Sequence, residues 1–153
     1  MCGVSGSGKT EYSRTLEADG FVRVSSDEII WEEYGDAFAS MPIEKQQAVF
    51  ASTGEKLIAE TVSLLRDGRK VVVDSTMCKR NKRLGIADAC RQEGVEPIFV
   101  FLKADYPLLC RRLSNRRGQG PNDQIVPEER LMSFCKNFEV PDDDEAVVIV
   151  EQM

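Results

Sequence analysis

Residues 3–10, Gly3-Val4-Ser5-Gly6-Ser7-Gly8-Lys9-Thr10, fit the spacing G-x-x-x-x-G-K-[ST]. That spacing suits the binding of phosphate. Gly6 and Gly8 let the backbone fold into a cradle whose N–H groups converge on phosphate oxygens. Lys9 is placed to reach β- and γ-phosphates, and the Thr10 hydroxyl to hold Mg²⁺. Residues 11–18 read as a helix, whose N-terminal partial charge would add to the attraction. The loop therefore predicts a nucleoside triphosphate site with Gly3, Ser5, Gly6, Ser7, Gly8, Lys9 and Thr10 as its wall.

Positioning such a loop takes a sheet. Strands are expected over 21–25, 70–74, 96–102 and 146–150, each short and rich in apolar or β-branched residues. Helices are expected over 28–39, 43–66, 79–93, from Asp105-Pro107 onward, and 127–138. Only Met1 and Cys2 precede Gly3, where a loop of this kind normally follows a buried strand. That first strand is expected either to continue upstream of this start or to be truncated to a stub. Strands alternating with helices predict a three-layer α/β fold, a parallel sheet flanked by helices, as one domain over 1–153. In such sheets ligands lie beyond the carboxyl ends of the strands.

Those ends carry further candidates. Asp27 follows the 21–25 strand, where an ionised carboxylate could take the proton of an acceptor hydroxyl; helix capping is its competing role. Asp74 ends the run Val71-Val72-Val73, the arrangement of a Walker B strand that holds Mg²⁺ directly or through water. Arg112 and Arg116 share a helix face and, with Arg117, lead into a Gly/Pro-rich loop; residues 116–126 read as a short lid. Guanidinium groups closing over transferring phosphates are a main catalytic resource. The basic run 79–83 reads either as a receiver of an anionic acceptor or as an exposed charged face, and 142–145 as a solvated acidic loop.

Composition narrows the chemistry. With no histidine, neither zinc ligation nor imidazole acid–base catalysis is expected, so a general base must be a carboxylate, lysine or tyrosine. Five scattered cysteines without a C-x-x-C pair point to reduced thiols and a cytoplasmic enzyme. The net charge of −6 argues against a general nucleic-acid coat, and no segment reads as membrane-spanning. No N-K-x-D motif supports the alternative of a guanine-nucleotide switch.

The ordered set Gly3–Thr10, Ser25-Ser26-Asp27, Val71–Thr76, Arg83, Arg112–Arg117 and Val126–Glu145 resembles the P-loop kinases grouped with polynucleotide kinases and zeta-toxin-like kinases. The resemblance implies ATP and Mg²⁺ on Lys9 and Thr10, Asp27 as general base, and Arg116 or Arg117 at the transferring phosphate. It also implies Arg83 as an acceptor or phosphate contact. One position departs: polynucleotide kinases of this type carry an arginine three residues after the base aspartate, and here that residue is Ile30. The acceptor is thus left open between a polynucleotide end and a small metabolite or nucleoside.

Overall fold

Val71, Val72 and Val73 are β-branched and apolar, and the strand they form, β2 (Lys70–Asp74), is covered on both faces. The computed structural model describes residues 1–153. In it β2 runs parallel to β1 (Phe21–Ser25), from Phe21 opposite Lys70 to Ser25 opposite Asp74. A second parallel pair joins β3 (Phe99–Lys103) to β4 (Val147–Glu151). β3 starts later than expected: Pro97 has no N–H to donate, and the first ladder bond runs from Phe99 N–H to the Ala146 carbonyl at 2.7 Å.

The two pairs meet through Met1–Gly3. Cys2 N–H donates to the Val100 carbonyl at 2.8 Å, and its carbonyl accepts from Leu102 at 2.9 Å. On the other side the Met1 nitrogen donates to the Val73 carbonyl at 2.7 Å and Gly3 N–H to the Thr76 carbonyl at 3.1 Å. The expected stub is therefore a single bridge residue, Cys2 opposite Phe101, lying between β2 and β3.

Helices cover both faces. They are α1 (Lys9–Ala18), α2 (Ser26–Tyr34), α3 (Ile43–Arg66), α4 (Arg80–Gln92), α5 (Tyr106–Ser114) and α6 (Glu128–Asn137). Cys2, Val24, Phe99 and Phe101 pack with Leu57 of α3 and Ile86 of α4 on one side. Val72 and Leu102 pack with Tyr12 and Leu16 of α1 on the other. α2 stops at Tyr34, short of the expected Ala39, because Gly35 takes φ +55° and ψ −137° and Gly35–Ser40 tighten into a 3₁₀ turn. None of these helices is long and apolar enough to cross a membrane.

The basic run 79–83 is mostly committed to the fold. Arg83, at 0% exposure, gives Nε and Nη2 to the Glu145 carboxylate at 2.6 and 2.9 Å. Its Nη1 donates to the Met77 and Glu139 carbonyls at 2.9 and 2.8 Å. Arg80 binds Asp142, Asp144 and Glu145, and Lys79 binds Glu139. This overturns two expectations: Arg83 is not free to touch an acceptor, and Glu145 anchors the 142–145 loop inside the protein. The physical reason is desolvation, since a buried guanidinium is tolerable only with its donors satisfied and its charge matched.

Removing one partner should leave the other buried and uncompensated. Glu145→Ala is expected to cost about 3–5 kcal/mol in urea unfolding. Arg83 holds the Glu145 carboxyl below the usual glutamate range. The pair's contribution is therefore complete above the ordinary glutamate pKa and is lost as pH falls through the lowered one. A Glu145→Ala protein as stable as wild type at pH 7 would contradict this role.

Candidate active site

The phosphate loop is shaped by what leaves no room. Gly3 sits at φ +147°, and a Cβ there would stand 2.6 Å from the buried Ser7 Oγ and 2.9 Å from the Leu102 carbonyl oxygen. Gly8, at φ +95°, turns the chain into α1 in a left-handed conformation. The first amides of α1 thus begin at the loop, where a helix has N–H groups without intrahelical acceptors. The Lys9 ammonium folds back to the Val4 carbonyl at 3.0 Å. Burial pulls its pKa down, while the charges of Asp27 and Asp74 act in the opposite direction.

A cavity of about 780 Å³ opens in front of this loop. Its wall includes Val4, Ser5, Gly6, Gly8, Lys9 and Thr10 from the loop, with Asp27, Arg112 and Arg116 from other elements. Gly3 and Ser7 lie beneath the loop as its buried support. Asp27 occupies the first turn of α2 and is not its cap: Ser25 caps, its Oγ accepting from Glu28 N–H at 3.4 Å. Burial raises the Asp27 carboxyl pKa, with Lys9 and then Arg116 opposing. Arg116 in turn is lowered by burial and supported by Asp27. Lys9, Asp27 and Arg116 thus act on one another's charge across one space.

The neighbouring arginines divide. Arg112 Nη1 donates to the Gly6 carbonyl at 3.3 Å and to Gln152 Oε1 at 3.4 Å, holding α5 to the loop. Arg116 Nη1 donates to the Gln124 carbonyl at 3.3 Å. Arg117 is exposed and off the cavity wall. Asp74 is buried, accepts from Arg23 Nη1 at 3.2 Å and also lies off the wall.

One group emerges that sequence reasoning missed. Asn122, in the short 3₁₀ turn Pro121–Asp123, accepts from the Thr10 hydroxyl at 3.4 Å and donates to Glu28 at 3.4 Å. Glu28 binds Arg23, which binds Asp74. A polar chain thus connects the two expected Mg²⁺ contacts, Thr10 and Asp74, through the α5–α6 connection. The turn-forming sequence Gly120-Pro121-Asn122-Asp123 marked a turn there but not its partner. Thr10 and Asp27 offer the cavity oxygen donors of the kind a hard cation such as Mg²⁺ takes, whereas Asp74, held by Arg23, does not reach its wall.

A family model described as an AAA domain matches residues 1–141. Among solved structures, a sugar kinase from Janibacter sp. HTCC2649 superposes with a TM-score of 0.70 at 20% identity, covering 98% of this chain and 82% of that one. A gluconokinase from Sinorhizobium meliloti 1021 gives 0.67 at 23% identity, covering 98% and 79%. No curated protein matches. These likenesses carry the fold, a parallel sheet flanked by helices with a phosphate loop. Neither named structure is titled a polynucleotide kinase.

Because Ser7 and Leu102 fill the space above Gly3, Gly3→Ala should distort the loop itself. The expected result is a loss of about 1–3 kcal/mol in stability and at least a tenfold weaker affinity for Mg·ATP, read by calorimetry. Wild-type affinity in Gly3→Ala would mean that this loop conformation is not the one that binds.

Proposed function

Because this chain belongs to the AAA domain family, we propose that it is an ATP- and Mg²⁺-dependent kinase that phosphorylates a hydroxyl of a small metabolite. The observation carrying this reading is the meeting of Lys9, Asp27 and Arg116 at one cavity in front of the phosphate loop. A carboxylate on the same cavity wall as the phosphate-loop lysine supplies the proton acceptor that transfer to a hydroxyl needs.

In this reading the loop amides bind the β- and γ-phosphates, and Lys9 exchanges the Val4 carbonyl for phosphate oxygens. Asp27 orients the acceptor hydroxyl and takes its proton as the new oxygen–phosphorus bond forms and the bond to the β-phosphate oxygen breaks. Arg116, with Arg112 beside the loop, balances the charge on the transferring group. Mg²⁺, when bound by Thr10 and, directly or through water, by Asp74, would neutralise phosphate charge. The stretch 116–126 serves as the lid, bringing Arg116 and Asn122 over the nucleotide and limiting water.

A small acceptor is favoured over a polynucleotide for two reasons. Ile30, where the polynucleotide kinases carry arginine, is 1% exposed and packs with Phe38 and Val49, so this position makes core rather than phosphate contacts. The similar solved structures are titled a sugar kinase and a gluconokinase, which makes sugars and sugar acids the first acceptors to try.

The test uses γ-labelled ATP with sugar acids, sugars, nucleosides and a 5′-hydroxyl oligonucleotide. Label is expected on a small acceptor. Asp27→Asn should lower turnover by about 10²–10⁴-fold with Mg·ATP affinity within a few fold. Label released only as free phosphate across the panel, or unchanged turnover in Asp27→Asn, would overturn the assignment.

The pH profile supplies a further prediction. Burial raises Asp27, so its base form is lost at a higher pH than for an ordinary aspartate. kcat/KM should therefore fall on the acid side above the ordinary aspartate pKa, through a limb absent from the residual activity of Asp27→Asn. An acid limb that persists unshifted in that variant would assign the titration to another group.

A further inference from the structure

No cation on the cavity wall, neither Lys9, Arg14 and Lys82 nor Arg112, Arg116 and Arg130, is committed to a salt bridge. The paired ones, Arg23, Arg80 and Arg83 among them, lie off that wall. Lys9, Arg112 and Arg116 are accounted for by the nucleotide. Arg130 is not, because it sits on α6 and reaches α3 rather than the phosphate loop.

Arg130 is held in place without being neutralised. Its Nη2 donates to Gln46 Oε1 at 3.2 Å, and its guanidinium lies 5.4 Å from the centre of the Phe134 ring. Gln46 is 8% exposed, and its Nε2 donates to the Phe38 and Met41 carbonyls at 3.2 and 3.1 Å, which fixes the amide oxygen toward Arg130. This is the one side-chain hydrogen bond Arg130 makes, so its other N–H donors remain open.

The surroundings of this cation are apolar. Phe50 follows Gln46 by one turn of α3, is 46% exposed, and sets its ring edge-on to Phe38 at 5.3 Å. Ile125, 63% exposed, faces the same cavity from the α5–α6 connection. Phe38 packs on Ile30, one turn along α2 from Asp27. A carboxylate at Asp27, an aromatic and aliphatic surface and an unneutralised guanidinium therefore line one cavity.

We propose that the acceptor is an amphipathic carboxylate, with its hydroxyl at Asp27, an apolar or aromatic body against Phe50 and Phe134, and its carboxylate on Arg130. This rests on the kinase reading for the hydroxyl end alone. A planar guanidinium with open donors suits a carboxylate in a two-bond geometry. A sugar acid such as gluconate, polar along its length, would leave the aromatic surface unused.

The probes are 4-(hydroxymethyl)benzoate, its uncharged amide and gluconate, titrated by calorimetry into the full chain with Mg·AMP-PNP bound. The benzoate is expected to bind at least tenfold more tightly than either of the others. Arg130→Gln should abolish its preference over the amide, and Arg130→Lys should keep part of it, with Mg·AMP-PNP affinity within twofold in both. Phe50→Ser should weaken benzoate and amide alike. Equal binding of benzoate and amide, tighter binding of gluconate, no binding of any probe, or an undiminished preference in Arg130→Gln would overturn the proposal. Phosphoryl transfer from Mg·ATP, followed by phosphorus NMR, separates the two readings. Arg130-dependent benzoate binding without transfer to any hydroxyl keeps the subsite and rejects the kinase. Transfer to gluconate with tighter gluconate binding keeps the kinase and rejects the subsite.

Discussion

The structure depends on a few backbone hydrogen bonds at Met1, Cys2 and Gly3. They join β2 to β3, two strands that have no bond to each other, and they end where the phosphate loop begins. Buried peptide groups must be paired, so this segment has little freedom to shift without breaking the ladder. The loop is consequently registered to both halves of the sheet at once. Asp27, at the carboxyl end of β1, and α5, which follows β3, come to the loop from opposite sides. The cavity between them follows from that placement.

Charge is sorted in the same way. A chain with a net charge of −6 nevertheless leaves the cations around one cavity without salt-bridge partners, while it pairs the arginines that the fold buries with acids. Arg83 with Glu145 and Arg23 with Asp74 show the structural half of this division. Lys9 and Arg116 show the other half: burial disfavours their charge, and Asp27 partly compensates both. An arriving polyanion would complete what Asp27 alone only begins.

Much of this was legible in the chain because local chemistry and global fold agree. The glycines, lysine and threonine of the loop have geometry that only such a loop uses, and Val71–Val73 could hardly be anything but a strand covered on both faces. Asp27 was readable as a strand-end carboxylate, although its competing role as a cap falls to Ser25. Arg83 misled because a basic run looks alike whether it faces solvent or a buried glutamate sixty-two positions away. Asn122 and Arg130 were invisible for the same reason: their meaning lies in Thr10, Glu28 and Gln46, partners brought close only by the packing of the α5–α6 connection and α6. Position-by-position chemistry finds groups that act through their own type, and misses those that act through a distant neighbour.

The account turns on Asp27 facing the γ-phosphate. The most direct measurement is a crystal structure of the full chain with Mg·AMP-PNP and a phosphorylatable acceptor. It should place the acceptor hydroxyl about 2.6–3.2 Å from the Asp27 carboxylate and in line with the bond to the leaving oxygen. Lys9 should have left the Val4 carbonyl for the phosphates. A complex in which Asp27 is turned away from the γ-phosphate, with no acceptor between them, would contradict the account.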